Sequence, residues 1–186
     1  MILAEPNAIE ERRARCAVRR LVGAQVPPIT LFSANGEGDI DMTWLSSGNG
    51  AVIYLYPGEM PGPDGRRSAD AAQARDIEAH HLELQRMGRR LAGISTQEPG
   101  EQLHHIFSND IEHIVLADPR LQLARELGLP TYSTGGPRRR YPRLALIAEQ
   151  GLIVHAFCLL QTPAKSARLV AAWLRDHADQ PSPGHG

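Results

Sequence analysis

The sequence predicts an α/β domain with a mixed central sheet and helices on both faces. Three observations carry that expectation. The run Ala51-Val52-Ile53-Tyr54-Leu55-Tyr56 is apolar on both alternating faces, which suits a central strand covered on each side. A helical pattern separates it from a second apolar run, Leu91-Ala92-Gly93-Ile94-Ser95, and strands joined through a helix run parallel. Residues 143–147 and 152–159 flank Glu149-Gln150-Gly151 in the manner of an antiparallel hairpin, so the sheet is mixed.

Taken in order, residues 1–7 read as a frayed arm. Residues 8–23 read as an amphipathic helix with Asn7 as a cap and Ile9, Cys16 and Leu21 on its apolar stripe. Its acidic start and basic end suit the helix dipole. Val26-Pro27-Pro28 ends it. Residues 29–32 form a short strand, 35–38 a turn, and 40–45 a second strand or extended connection. After the central strand, Pro57 and Gly58 open a loop rich in Pro and Gly. Ser68 or Asp70 then caps a long helix through Ala71, Ala72, Ala74, Ile77 and Leu82, running to about residue 90. Residues 99–107 form a helix, 114–116 a strand, and 120–127 a helix closed by Gly128. Residues 130–142 read as a polar loop with the basic run Arg138-Arg139-Arg140. The hairpin follows, then a closing helix over 163–177 and a Pro/Gly-rich tail expected to be disordered. The division is an N-terminal helical extension over 1–25, a domain over 26–178 and a tail over 179–186. This order of elements is that of a thioredoxin-like domain.

Composition sets the class of partner. The 186 residues are enough for one domain with a good core, and 42% apolar with 22% charged is an ordinary globular balance. Lys+Arg 20 against Asp+Glu 21 leaves a net charge of −1, which argues against nucleic acid as a partner. No apolar run approaches a membrane span, and no signal-like segment opens the chain, so a cytoplasmic location is expected. Two cysteines far apart make neither a disulfide framework nor a zinc signature. No cofactor is expected.

An ordered set of short motifs carries a resemblance. It comprises Val52-Ile53-Tyr54-Leu55-Tyr56-Pro57-Gly58, then Gly93-Ile94-Ser95-Thr96-Gln97, Leu116-Ala117-Asp118, Ala124-Arg125-Glu126-Leu127-Gly128-Leu129-Pro130-Thr131, and Arg143-Leu144-Ala145-Leu146-Ile147 with the turn at Gly151. In order and spacing this set resembles the redoxin-type branch of the peroxiredoxins, in the alkyl hydroperoxide reductase/thiol-specific antioxidant superfamily, from about Val26 to the final helix. The resemblance implies a thioredoxin-like fold of peroxiredoxin type, and a homodimer as the assembly many members adopt. It also implies that Arg143 matches the family arginine that enters the active site from the hairpin and holds the reactive sulfur and the peroxide.

One departure outweighs these agreements. The family's peroxidatic cysteine follows the central strand in a Pro-x-x-x-Thr-x-x-Cys context. Counting from Pro57 puts Pro61 at the Thr position and Asp64 at the Cys position, while aligning back from Arg75-Asp76 puts Arg67 there. No cysteine lies between Cys16 and Cys158.

The candidate site is therefore the 57–68 loop with its flanks: Pro57, Asp64, Ser68, Asp70 and Arg143. A guanidinium beside a helix N-terminus favours a carboxylate, either Asp64 or Asp70 or that of a small anionic ligand. Asp64 also reads as a turn residue and Asp70 as a cap. A carboxylate cannot attack an O–O bond and be reduced again as a thiolate does. Cys16 and Cys158 both fall on apolar stripes and read as buried, inert thiols. Eight histidines include the pairs His80-His81 and His104-His105, whose side chains diverge on a helix; they read as solvated, and no metal site is expected. The arginine run reads as solvated too. Three functions stay open: a redoxin that is no longer a thiol peroxidase and keeps a binding or regulatory role; an enzyme that reuses the pocket on a small metabolite held by Arg143; and a residual peroxidase working through Cys158 or Cys16.

Overall fold

The computed structural model describes residues 8–36, 38–58, 68–133 and 136–178. Helix α1 (Ala8–Leu21) is followed by β1 (Thr30–Ser33), β2 (Asp39–Asp41), α2 (Met42–Leu45), β3 (Ala51–Leu55), α3 (Ala69–Arg86), β4 (Arg90–Ser95), α4 (Pro99–Ser108), β5 (Ile114–Ala117) and α5 (Gln122–Leu127). Then come β6 (Tyr132–Ser133), β7 (Arg139–Arg140), β8 (Leu144–Glu149), β9 (Leu152–Cys158), a 3-10 turn over Pro163–Lys165 and α6 (Ser166–Asp176). One seven-stranded sheet runs β2-β1-β5-β4-β3-β8-β9, and β6 and β7 form a separate small ribbon. The pairs β3/β4 and β4/β5 are parallel, while β8 runs antiparallel to β3 with Leu55 opposite Leu144. The mixed sheet, the central place of β3 and the terminal hairpin are as the sequence predicts.

The apolar alternation of β3 works on both faces. Ala51, Ile53 and Leu55 pack with Leu144, Leu146, Ala14, Leu21, Met42 and Leu123 in the larger core. Val52 and Tyr54 face the other way, with Ala145 and Ile147, and are covered by Ile77 and Leu84 of α3 and Val170 and Leu174 of α6. Every residue of β3 is buried. Gly50, which feeds β3, has φ +85, and a Cβ there would lie 1.9 Å from the Ala148 carbonyl oxygen, so only glycine fits at this crossing.

Several expectations are corrected. Residues 42–45 coil into the short helix α2 rather than extend, because Asp41 caps it by accepting from the Thr43 N–H at 2.7 Å. The 130–142 stretch contains the β6/β7 ribbon, with Ser133 opposite Arg139. Along α1 the buried stripe is Ala14, Ala17 and Leu21, so Ile9 is 64% exposed and Cys16 is exposed rather than buried. Small alanines let α1 lie close against β9, to which the following segment bonds through Gly23 N–H to Ile153 O and Ile153 N–H to Ala24 O. Along α3 the buried stripe is Asp70, Gln73, Ala74, Ile77, His81 and Leu84, and Leu82 is 65% exposed. The calls on Asn7, the 1–7 arm, Asp64, Arg67 and the 180–186 tail lie outside the described residues.

Candidate functional site

The parallel strands β3, β4 and β5 all end at one edge, and a band of buried polar side chains collects there. Ser68 caps α3, its hydroxyl accepting from the Ala71 N–H at 3.2 Å. Within the first turn, Asp70 turns toward the sheet. Arg143, immediately before β8, lies beside the end of β3 because Leu144 pairs with Leu55. Its Nη2 donates to Asp70 Oδ1 at 2.8 Å, and the two residues are only 3% and 2% exposed. Of the sequence-predicted residues, Ser68, Asp70 and Arg143 are thus brought together.

Pro57 belongs to the same edge but meets a different arginine. Arg140 Nη1 donates to the carbonyls of Pro57 at 2.9 Å and Gly58 at 2.6 Å. Gly58 has φ +72, and a Cβ there would run into the Gln97 side chain at 2.6 Å. The exit of β3 is therefore clamped between Arg140 and Gln97. This corrects the expectation of a solvated basic run at Arg140, which is half-buried; Arg139 is exposed as expected, donating to Thr131 Oγ1 at 2.6 Å, and Arg138 pairs with Glu101 at 2.8 Å near the surface.

Behind the pair, buried hydrogen bonds link several members of the polar band. Gln102 Nε2 donates to Ser95 Oγ at 2.9 Å and to the Leu116 carbonyl at 2.8 Å. The carboxylate of Asp118, fully buried, accepts from the Gln122 and Leu123 N–H groups at 2.7 and 2.9 Å and from the Tyr141 hydroxyl at 2.6 Å. Burial first, and the neighbouring Asp118 charge second, push the Tyr141 hydroxyl far above the usual phenol range, so it stays a donor.

Tyr54, Tyr56, Asp70, Gln73, His105 and His113 are among the residues enclosing a cavity of about 10 Å³, the room of roughly one water. The Gln73 amide is 2% exposed, and neither its nitrogen nor its oxygen finds a hydrogen-bond partner among the described residues. One water in the cavity would be placed to meet it. His105 stacks on Tyr56 with ring centroids 5.2 Å apart. Burial, then the nearby His113 and His104, lower its pKa to about 4. Sequence reasoning missed Gln73, His105 and Arg140. The signal for Gln73 was available in the three-and-four spacing of Asp70, Gln73 and Ile77 on one helix face; Arg140 carried none, because the ribbon that aims it is too short for a pattern.

The expectation of solvated histidines fails for His81 and His113, which are 9% and 5% exposed, and holds for His104, which is exposed. Neither cysteine is at the Arg143–Asp70 pair, although Cys158, opposite Leu144, stands level with this edge. Cys16 is on the outside of α1. Cys158 is half-buried, and with Leu144 it faces the α1 side of the sheet, whereas Arg143 reaches Asp70 on the α3 side. Desolvation raises the Cys158 thiol pKa above its ordinary value.

With this geometry defined, comparison with known proteins is informative about the fold. No protein-family model and no curated protein sequence matches the chain. Solved peroxiredoxin structures do match. Peroxidoxin BcpB from Mycobacterium tuberculosis superposes with a TM-score of 0.68 at 16% identity, covering 83% of this chain and 96% of its own. Reduced Prx3 from Vibrio vulnificus in complex with H2O2 gives 0.68 at 21% identity, covering 86% and 98%. The bacterioferritin comigratory protein of Xanthomonas campestris, studied for alkyl peroxide reduction, gives 0.70 at 19% identity, covering 85% and 98%. The chain thus has the thioredoxin-like fold of peroxiredoxins, with a mixed sheet flanked by helices. No helix among the described residues is long and apolar enough to cross a membrane.

Two outcomes are expected. An aromatic disulfide reagent will label the native protein in two phases, fast at exposed Cys16 and slow at Cys158. Cys16→Ser will remove the fast phase, and its survival in that variant would contradict the placement. For His105, the folded pKa lies below the unfolded value of about 6.5. The unfolded chain then binds the proton first as pH falls, so stability is full above about 6.5 and is lost as pH drops towards 4. Urea denaturation of wild type and His105→Asn across that range will show a shallower loss in the variant; equal slopes would contradict it.

Proposed function

We propose that this chain is a redoxin of the peroxiredoxin family that is not a thiol peroxidase and keeps a binding or regulatory role at the site edge. The observation that supports this most is the buried Arg143–Asp70 pair. In the resemblance, the corresponding arginine holds a cysteine thiolate and a peroxide. Here Arg143 has a carboxylate of α3 within hydrogen-bond distance, and the two cysteines of the chain lie elsewhere. Cys158 lacks the chemistry the reaction demands: burial drives it toward the protonated form, on the sheet face opposite Arg143. A carboxylate at Asp70 cannot be oxidised by peroxide and reduced again.

The binding role rests on charge. The amino end of α3, Arg143 and Arg140 place positive groups around Pro57, Ser68 and Asp70, an arrangement that suits a small anionic ligand. Such a ligand would compete with Asp70 for the guanidinium. An enzyme turning over a small metabolite is less well supported, because the cavity beside Asp70 has room for about one water. The reading takes the chain as acting in the cytoplasm, alone or as a homodimer, with neither nucleic acid nor membrane as partner.

The test is turnover. Purified protein supplied with hydrogen peroxide or an alkyl hydroperoxide, and with thioredoxin or dithiothreitol, is expected to consume peroxide no faster than the protein-free mixture. Robust turnover that disappears in Cys158→Ser or Cys16→Ser would overturn the reading and establish a peroxidase with a relocated thiol.

A further inference from the structure

At the opposite end of the parallel strands, α3 and the start of β5 bring together groups that the redoxin reading does not use. Glu78 lies eight residues beyond Asp70 on α3, about 12 Å along the helix at 1.5 Å per residue. His81 falls one turn further, on the buried stripe that continues Asp70, Gln73 and Ile77. On the other side, Asp110 takes φ 49 to turn the chain out of α4, and Ile111 is buried in a small core with Ala74, Ile106 and Val115. That anchor delivers Glu112 and His113 against the middle of α3.

The four side chains meet around the Glu78 carboxylate. Glu78 Oε1 accepts from His113 Nδ1 and from the Glu112 N–H at 3.3 Å. Glu78 Oε2 lies 3.5 Å from His81 Nδ1. One donor atom each from Glu78, His81 and Glu112 lie within 4.8 Å of one another. Around a tetrahedral ion with bonds of about 2.1 Å, donors stand roughly 3.4 Å apart. The Glu78–His81 separation already has that value. Glu112 is exposed, so rotation of its side chain can bring its oxygen in without disturbing the core.

Two further features point to a cation. Two carboxylates and an imidazole converge in a half-buried place; Glu78 already takes a hydrogen bond from His113, and a cation shared with Glu112 would add to that. The arginines nearby are committed elsewhere: Arg89 to Glu149 at 2.5 Å, and Arg90 to the carbonyls of Trp44 and Ser47, both at 2.9 Å. The surroundings also orient the donors. His113 fixes the Glu78 carboxylate, and the Gln85 amide lies 2.9 Å from His81 Nε2. As placed, the Gln85 amide nitrogen donates to Nε2, so a cation on Nδ1, the atom nearest Glu78, requires the amide to turn and its oxygen to accept from Nε2–H. An open groove of about 380 Å³, bordered by Trp44, His81, Gln85 and Glu112, gives water and ions access.

We propose that Glu78, His81 and Glu112 form a binding site for a divalent transition-metal cation of the zinc class, with His113 and Gln85 orienting the ligands. One imidazole and two carboxylates, with no thiolate, suit zinc, cobalt or nickel and leave open positions for water. Magnesium and calcium prefer all-oxygen shells with more ligands, and are disfavoured. The sequence shows no His-x-x-x-His face because the site is made between two elements; its trace is Glu78-x-x-His81 on α3 facing Glu112-His113.

The test uses the full chain, stripped with chelator and then titrated calorimetrically with zinc and, separately, with cobalt while its visible absorption is followed. The expected result is saturable binding of one equivalent with tetrahedral or five-coordinate cobalt bands. Affinity should fall at least about tenfold in Glu112→Gln, an exposed position that leaves the fold intact, and similarly in His81→Asn, checked for folding by circular dichroism. Absence of one-equivalent binding would overturn the proposal. So would binding of unchanged affinity in Glu112→Gln and His81→Asn, which would place the ion at other histidines. Peroxide turnover is not a readout here, so the outcome is separate from the fate of the redoxin reading.

Discussion

A buried ion pair holds the working edge of this molecule together. Arg143 and Asp70 belong to elements far apart in sequence, one preceding strand β8 beside β3 and the other in the first turn of α3. Their contact joins the hairpin half of the sheet to the helix that covers it. Taking both charges out of water costs several kcal/mol per ion. The mutual attraction and the helix amino terminus beside Asp70 are what offset that cost. In this chain the guanidinium's partner is a carboxylate, which accepts its hydrogen bond inside the protein.

Much of the rest of the edge is tied together by buried hydrogen bonds, while the Gln73 amide faces the water-sized cavity. Asp118 accepts three hydrogen bonds, Gln102 ties β4 to β5, and Arg140 with Gln97 holds the exit of β3. These contacts tie the carboxyl ends of the three strands to the elements around them. The proposed cation site lies at the amino ends of the same strands, and α3 spans both. Along one stripe of that helix, Asp70 faces an arginine, Gln73 a water-sized cavity and His81 a pair of carboxylates. An amphipathic stripe that is partly polar thus divides α3 into two chemically distinct ends.

Much of the fold was legible in sequence because its signals are local and repeated. The two-faced apolarity of β3, the helix between β3 and β4 and the Gly151 turn specify parallel core and antiparallel edge. Arg143 and Asp70 were legible as neighbours because both flank the end of β3. What escaped was set by tertiary packing. Cys16 follows the apolar stripe drawn through Ile9, but α1 packs through its alanines, which a hydrophobicity pattern underweights. Leu82 was preferred over His81 on α3 because it is the more apolar, although the three-and-four spacing selects His81. Arg140 and the Glu78–Glu112 meeting depend on turns between elements, where single-residue geometry leaves little trace in composition.

The central claim is that Arg143 is neutralised by Asp70 inside the protein. A double-mutant cycle in urea measures it directly, using Arg143→Met, Asp70→Leu and the double variant. Each single change strands a buried charge and is predicted to lose about 3–5 kcal/mol, while the double variant, which buries none, should lie closer to wild type than either. Losses that simply add, within about 0.5 kcal/mol, would mean that the two residues do not depend on each other and would contradict the account.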